Sequence, residues 1–128
     1  MKPFTLVQGM NAARISADQP IFDTCLWKTV QAKPGDVLIS CPGFAKVISC
    51  AEFKQNFTTL EGGTMTFDKG HPNLEVIPYY LKKGEVVDAH FVTDTRTGLV
   101  EKVLFNQTPL FVTRELPITV FTWIFQKA

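Results

Sequence analysis

Long apolar runs are missing from this sequence, and their absence excludes a membrane-spanning helix. The longest apolar-rich segment, residues 118–125, contains two threonines and falls far short of the roughly 20 residues that cross a bilayer. The first ten residues hold one Lys and no apolar stretch of the kind found in signal peptides. We therefore expect no membrane partner and a cytoplasmic location.

A charge excess of one sign is also missing. Lys and Arg total 13 against 12 Asp and Glu, which gives a formal net charge of +1. Proteins that bind nucleic acid nonspecifically carry a marked positive excess, and acidic nucleic-acid mimics carry the opposite. We expect no nucleic-acid partner.

Cysteine is scarce, and its spacing does not fit a metal site. Cys25, Cys41 and Cys50 are an odd number of widely separated thiols, whereas zinc sites use close pairs such as C-x2-C. In a reducing compartment such thiols stay unpaired. We expect no disulfide, no metal and no cofactor.

The local signatures of common enzymes are absent as well. The sequence holds no G-x-G-x-x-G, no phosphate-binding glycine loop, no H-E-x-x-H and no G-x-S-x-G. Whether the protein is an enzyme stays open, with the balance toward a noncatalytic role.

What is present indicates one domain, residues 1–128, rich in β-structure. The chain is 45% hydrophobic with 11 Phe, enough for a core, and most apolar residues alternate with polar ones at period two. We predict a mainly β (α+β) fold, either a small antiparallel β-sandwich or a partly open barrel, with one short helix.

Turn dipeptides divide the chain into its predicted elements. Pro42-Gly43 joins strands 37–40 and 46–49 into a hairpin. Ser49 then caps a helix over residues 50–58 whose Phe53 and Phe57 share one side. The remaining predicted elements are a flexible loop 58–73 with a short strand at 64–67, an edge strand 74–81 containing Pro78, a hairpin of 85–93 and 99–105, and strands 110–113 and 118–125.

The last of these strands is apolar on both faces. At period two, Phe121, Trp123 and Phe125 form one apolar strip on one face. Such a strand is either central in a covered sheet or half of an oligomer interface. We expect Trp123 to be a main anchor of the core or of a subunit contact.

Few residues are candidates for chemistry. Asp88 and His90, two apart in the strand 85–93, could pair a general base with its orienting carboxylate or hold a metal with a third ligand such as Asp94 or Glu101. The strand face that carries Asp88 and His90 is less suited to the core than the opposite face. This favours the interpretation of the two residues as a solvated polar pair. Asp36 follows a turn, where its carboxylate commonly accepts hydrogen bonds from turn amides.

Residues 12–57 carry a resemblance to a known family. The segment Ala32-Lys-Pro-Gly-Asp-Val-Leu38, followed by Pro42-Gly43, Phe53 and Phe57, resembles the small PGDYG-type proteins of bacteriophages and bacteria, named for a Pro-Gly-Asp turn that opens a hairpin. The chain departs from the family at Val37, where an aromatic is usual, and at Phe44, where Glu is usual. The resemblance implies a small β-rich fold and a phage origin, and it transfers no catalytic residue.

Three functions follow as hypotheses. The first is a noncatalytic protein-binding role, as a phage accessory protein that binds a host or viral protein in the host cytoplasm. Its candidate contact residues are Phe121, Trp123, Phe125, Tyr79 and Arg96. The second is a self-associating assembly protein that uses residues 118–125, and the third is a small enzyme that uses Asp88 and His90.

Overall fold

A computed structural model of the chain describes residues 2–67, 73–107 and 112–128. Twelve strands and two seven-residue helices lie in this described part. In chain order they are β1 Lys2–Leu6, β2 Met10–Arg14, β3 Gln19–Asp23, β4 Lys28–Ala32, β5 Val37–Cys41, β6 Phe44–Ile48, α1 Cys50–Asn56, β7 Phe57–Thr59, β8 Asn73–Pro78, β9 Val86–Thr93, β10 Val100–Gln107, β11 Val112–Pro117, α2 Ile118–Ile124 and β12 Phe125–Lys127.

The strands form two five-stranded sheets and one two-stranded ribbon. The strand order is β11-β10-β9-β1-β12 in the first sheet and β6-β5-β2-β8-β7 in the second, while β3 pairs with β4. Every pairing is antiparallel. Within the described residues the sheets do not close into a barrel, so the predicted mainly β fold is confirmed in its sandwich form.

Both sheets and both helices contribute side chains to one hydrophobic core. Along β9, Val87 and Ala89 are buried while Asp88 and His90 are exposed, which confirms the predicted choice of faces. The alternation arises because successive strand residues point to opposite faces of a sheet. Phe121 of α2 packs among four other aromatic rings of the core. Its ring centroid lies within 6.2 Å of the ring centroids of Phe4, Phe91, Phe105 and Phe125.

The first predicted hairpin is confirmed, and so is the helix after it, although that helix ends at Asn56 instead of residue 58 because Phe57–Thr59 pair with β8 as strand β7. β5 and β6 pair across Pro42-Gly43, and Gly43 takes the positive φ of 81° that this turn requires. Ser49 is the N-cap of α1, where its side chain accepts a hydrogen bond of 3.1 Å from the backbone N–H of Glu52. Phe53 of α1 is buried.

The predicted strand 118–125 is wrong, because residues 118–124 form helix α2. Val120, Phe121 and Ile124 are buried together, and this i, i+1, i+4 spacing places them on one helical face. β-branched residues favoured a strand by propensity, but burial against β10 and β11 selects the helix. Only Phe125, which opens β12, lies in a strand.

Two other expectations need correction. Strand β8 lies between β2 and β7, so the segment predicted as an edge strand is internal, and Pro78 is tolerated because it is the last residue of that strand. The short strand predicted at 64–67 is absent, although Met65 and Phe67 pack against the core. Residues 68–72 of the predicted loop, and 110–111 of a predicted strand, lie outside the described residues.

Candidate functional site

The turn between β3 and β4 presents a cluster of exposed apolar side chains, which we name the hairpin tip and define as residues 22–27. Phe22 is 44% exposed, Leu26 60% and Trp27 75%. The rings of Phe22 and Trp27 meet edge to face with centroids 5.1 Å apart. Scattered exposed apolar residues are ordinary on protein surfaces, whereas a contiguous cluster marks a contact site.

Asp23 stabilises one conformation of the hairpin tip. The residue is 2% exposed, and one oxygen of its carboxylate accepts hydrogen bonds from the backbone N–H groups of Cys25 at 2.8 Å and Leu26 at 2.9 Å. Its second oxygen accepts from the N–H of Val47 at 3.4 Å. A buried carboxylate must be hydrogen-bonded, and here its partners fix the turn both to itself and to β6.

Thr24 fastens the hairpin tip to β6 a second time. Its backbone N–H and its hydroxyl both donate to the carbonyl oxygen of Ala45, at 2.9 and 3.1 Å, and its hydroxyl lies 3.0 Å from the N–H of Ala45. In the described part of the chain, Trp27 is the one non-glycine residue with positive φ, at 55°. That conformation costs about 1–2 kcal/mol, so the rest of the turn stabilises the backbone of Trp27 against a local preference.

A second surface feature, the Trp123 groove, lies between Trp123 and strands β2, β5 and β8 of the second sheet. It encloses about 650 Å³. Its lining comes from four segments: Gly9, Met10 and Asn11, then Ser40, Cys41 and Pro42, then Asn73, Leu74 and Glu75, and finally Trp123. Burial raises the pKa of the Cys41 thiol, so this side chain lines the groove as a neutral group near pH 7.

Two hydrogen bonds on Gly9 fix the wall of the Trp123 groove. The indole Nε1–H of Trp123 donates to the carbonyl oxygen of Gly9 at 3.0 Å, and the N–H of Gly9 donates to Oε1 of Glu75 at 3.0 Å. The indole N–H is therefore engaged, and what Trp123 offers to a ligand is its ring.

The five predicted contact residues are divided between core and surface. Phe121 and Phe125 are 1% and 4% exposed, and both belong to the core. Trp123 is 37% exposed and Tyr79 55%, while Arg96 projects from the β9–β10 turn with its guanidinium 3.8 Å from Asp94. The helix separates Trp123 from its two neighbours, so the strip predicted for this segment does not exist.

The candidate chemical residues lie on the outside of the sandwich. Asp88 and His90 are exposed on β9, and the described residues contain no group of three His, Cys, Asp or Glu close enough to hold a metal ion. Asp36 accepts a hydrogen bond from the backbone N–H of Lys33 at 3.1 Å, which confirms its role in the turn.

The three cysteines are free thiols. Cys25 lies in the hairpin tip and Cys50 opens α1, and both are exposed, while Cys41 is half-buried. Burial also raises the pKa of Cys25, partly offset by the nearby charge of Lys46.

Sequence reasoning missed the hairpin tip, although a signal for it was available. Asp23-Thr24 is a turn-forming pair between two period-two segments. The following Leu26-Trp27 places two large apolar residues where turns usually hold polar ones. The turn is fixed to β6 through Asp23 and Thr24, but Leu26 and Trp27 stay exposed.

Comparisons with models of protein families, with curated proteins and with solved structures each returned no match for this chain. The resemblance to PGDYG-type proteins therefore stays a prediction. In the described part of the chain, neither helix has the length and apolar content that crossing a bilayer demands.

Proposed function

We propose that the protein is a noncatalytic binding protein that inserts its hairpin tip into an apolar pocket of another protein. The observation that carries this proposal is the exposure of Trp27 and Leu26 on a turn that is fixed by buried hydrogen bonds of Asp23. Tryptophan is enriched among residues that dominate binding energy. A turn that is already ordered loses little conformational entropy when it binds.

The small exposed apolar area of the hairpin tip favours a different protein over a second copy of this chain. A standard interface buries about 800 Å² on each partner, and a fully buried aromatic contributes about 150–250 Å². Three partly exposed side chains that met their own copies would fall well short of that area. As the central anchor of a larger contact, the same three suffice.

The deciding experiment compares three immobilised proteins in a bacterial lysate: the parent, Trp27→Ser, and Leu99→Ser. Leu99 is 70% exposed, but it lies in the β9–β10 turn and not in the hairpin tip, so it controls for loss of an exposed apolar side chain. We expect the parent and Leu99→Ser to retain the same protein in stoichiometric amount and Trp27→Ser to lose it.

Purified components then give the size of the effect. With the retained protein isolated, Trp27→Ser should weaken binding at least about 30-fold, the loss typical of a residue that dominates an interface. Equal affinity of Trp27→Ser and the parent would refute the proposal. A parent that sediments as an oligomer and becomes a monomer on Trp27→Ser would replace it with self-association through the hairpin tip.

The origin and location of the protein belong to the same proposal. The PGDYG-like segment supports a phage accessory protein that acts on a host or viral protein, and three free thiols suit a reducing cytoplasm. An enzyme that uses Asp88 and His90 receives less support, because both side chains stand on an open, solvated sheet face.

A further inference from the structure

We infer that the Trp123 groove binds the guanidinium group of an arginine side chain. This inference deepens the proposed function, on which it rests for the source of the arginine, namely a protein partner. The Trp123 groove lies on a different surface from the hairpin tip, and its binding of arginine is tested without a protein partner.

The register of the second sheet places a row of polar side chains in the lining of the groove. Asn11 of β2 pairs with Ser40 of β5 on one side and with Glu75 of β8 on the other. Residues directly opposite one another in antiparallel strands point to the same face, with Cβ atoms about 4.5–5.5 Å apart. Their chain neighbours Met10, Ala12, Ile39 and Val76 are buried in the core, so this row faces outward.

The charge of the groove selects a cation. Among the described residues that line it, Glu75 is the sole charged side chain. One carboxylate oxygen of Glu75 accepts a hydrogen bond from the N–H of Gly9. The carboxylate keeps further acceptor sites, since an ionised carboxylate has about four lone-pair positions.

The aromatic and polar lining of the groove favours a planar cation over a compact one. Trp123 lines the same groove as the polar row. A guanidinium stacks on an aromatic ring while its N–H groups donate in its own plane. Glu75, the side-chain carbonyl of Asn11 and the hydroxyl of Ser40 are the acceptors for those N–H groups. An ammonium group is a compact and strongly hydrated point charge, so we expect it to bind in this groove more weakly than a guanidinium.

The test is a titration followed by NMR of the two indole N–H signals. The chain has two tryptophans, and Trp27 on the hairpin tip is the internal reference for Trp123. The probes are N-acetyl-arginine amide, its neutral isostere N-acetyl-citrulline amide, and N-acetyl-lysine amide. We expect saturable shifts of the Trp123 signal with the arginine amide, weaker shifts with the lysine amide, and none with the citrulline amide.

Two substitutions assign the binding to the groove. Glu75→Gln keeps an oxygen for the N–H of Gly9 but removes the charge, and it should weaken arginine binding at least about tenfold. Glu101→Gln removes an equal charge at an exposed position of β10 and should leave binding unchanged. Equal shifts with citrulline or lysine amide, an unmoved Trp123 signal, or an affinity unaltered by Glu75→Gln would each overturn the inference. None of these results bears on the hairpin tip, whose own test uses Trp27→Ser.

Discussion

The indole nitrogen of Trp123 donates a hydrogen bond to the carbonyl oxygen of Gly9, 3.0 Å away and 114 positions earlier in the chain. The side chain of Gln8 donates in turn to the backbone carbonyl oxygen of Trp123. Helix α2 is thereby tied to the segment between β1 and β2, where the chain passes from the first sheet to the second.

This contact predicts a modest stability loss at Trp123. Trp123→Phe should lower the free energy of unfolding by about 1 kcal/mol, the worth of one hydrogen bond. Trp123→Ala should lower it by about 2 kcal/mol, less than the 3–5 kcal/mol for a fully buried tryptophan, because the side chain is 37% exposed. Urea unfolding measures both, and a loss above 4 kcal/mol for the alanine variant would place the ring in the core instead.

Gly9 should not tolerate a larger side chain. A Cβ at this position would lie 2.7 Å from the carbonyl oxygen of Val76 and 2.7 Å from Cγ of Glu75. Because backbone atoms of β8 cannot move aside freely, Gly9→Ala should cost about 2–3 kcal/mol. The control is Gly63→Ala, whose Cβ would come no closer than 3.8 Å to Oγ1 of Thr59. Equal unfolding midpoints for the two variants would contradict the close approach seen at Gly9.

Asp23 should matter more to stability than a carboxylate in an exposed turn. Asp23→Ala removes the acceptor of three backbone N–H groups next to the core and should cost about 3 kcal/mol. Asp36→Ala removes one acceptor in an exposed turn and should cost about 0.5–1 kcal/mol. Chemical denaturation of both variants gives the comparison, and a cost for Asp23→Ala as small as that for Asp36→Ala would show that the hairpin tip is not held by this side chain.

Tyr80 should make stability fall at alkaline pH. Burial raises the pKa of its phenol above the ordinary 10.0, with the charge of Arg114 acting in the opposite direction, although the guanidinium lies only 4.3 Å from the centre of the ring. The folded state therefore keeps the proton longer than the unfolded state. The contribution of the neutral Tyr80 phenol to the stability of the folded state is complete below pH 10. It is lost as the pH rises from 10 through the folded-state pKa of Tyr80.

The comparison that isolates this effect is Tyr80→Phe against the parent. Thermal unfolding from pH 9 to pH 11.5 should show a steeper decline for the parent, because the phenylalanine variant has no phenol to ionise at that site. Parallel pH profiles for the two proteins would mean that Tyr80 ionises alike in both states.

The sequence by itself determined the features that depend on neighbouring residues. The turn at Pro42-Gly43, the cap by Ser49 and the choice of faces on β9 all follow from local backbone preferences or from side-chain alternation. These signals act within a few residues, and for that reason they could be interpreted without knowing what packs against each segment.

Only the tertiary structure decided what depends on distant partners. Residues 118–124 suit a strand by propensity and a helix by spacing, and contact with β10 and β11 settles the choice. The polar row of the Trp123 groove joins Ser40, Asn11 and Glu75 from three strands, and their register is set by how β5, β2 and β8 pair. Pairing register is the outcome of burying one face of every strand at once, and no single segment of the sequence contains it.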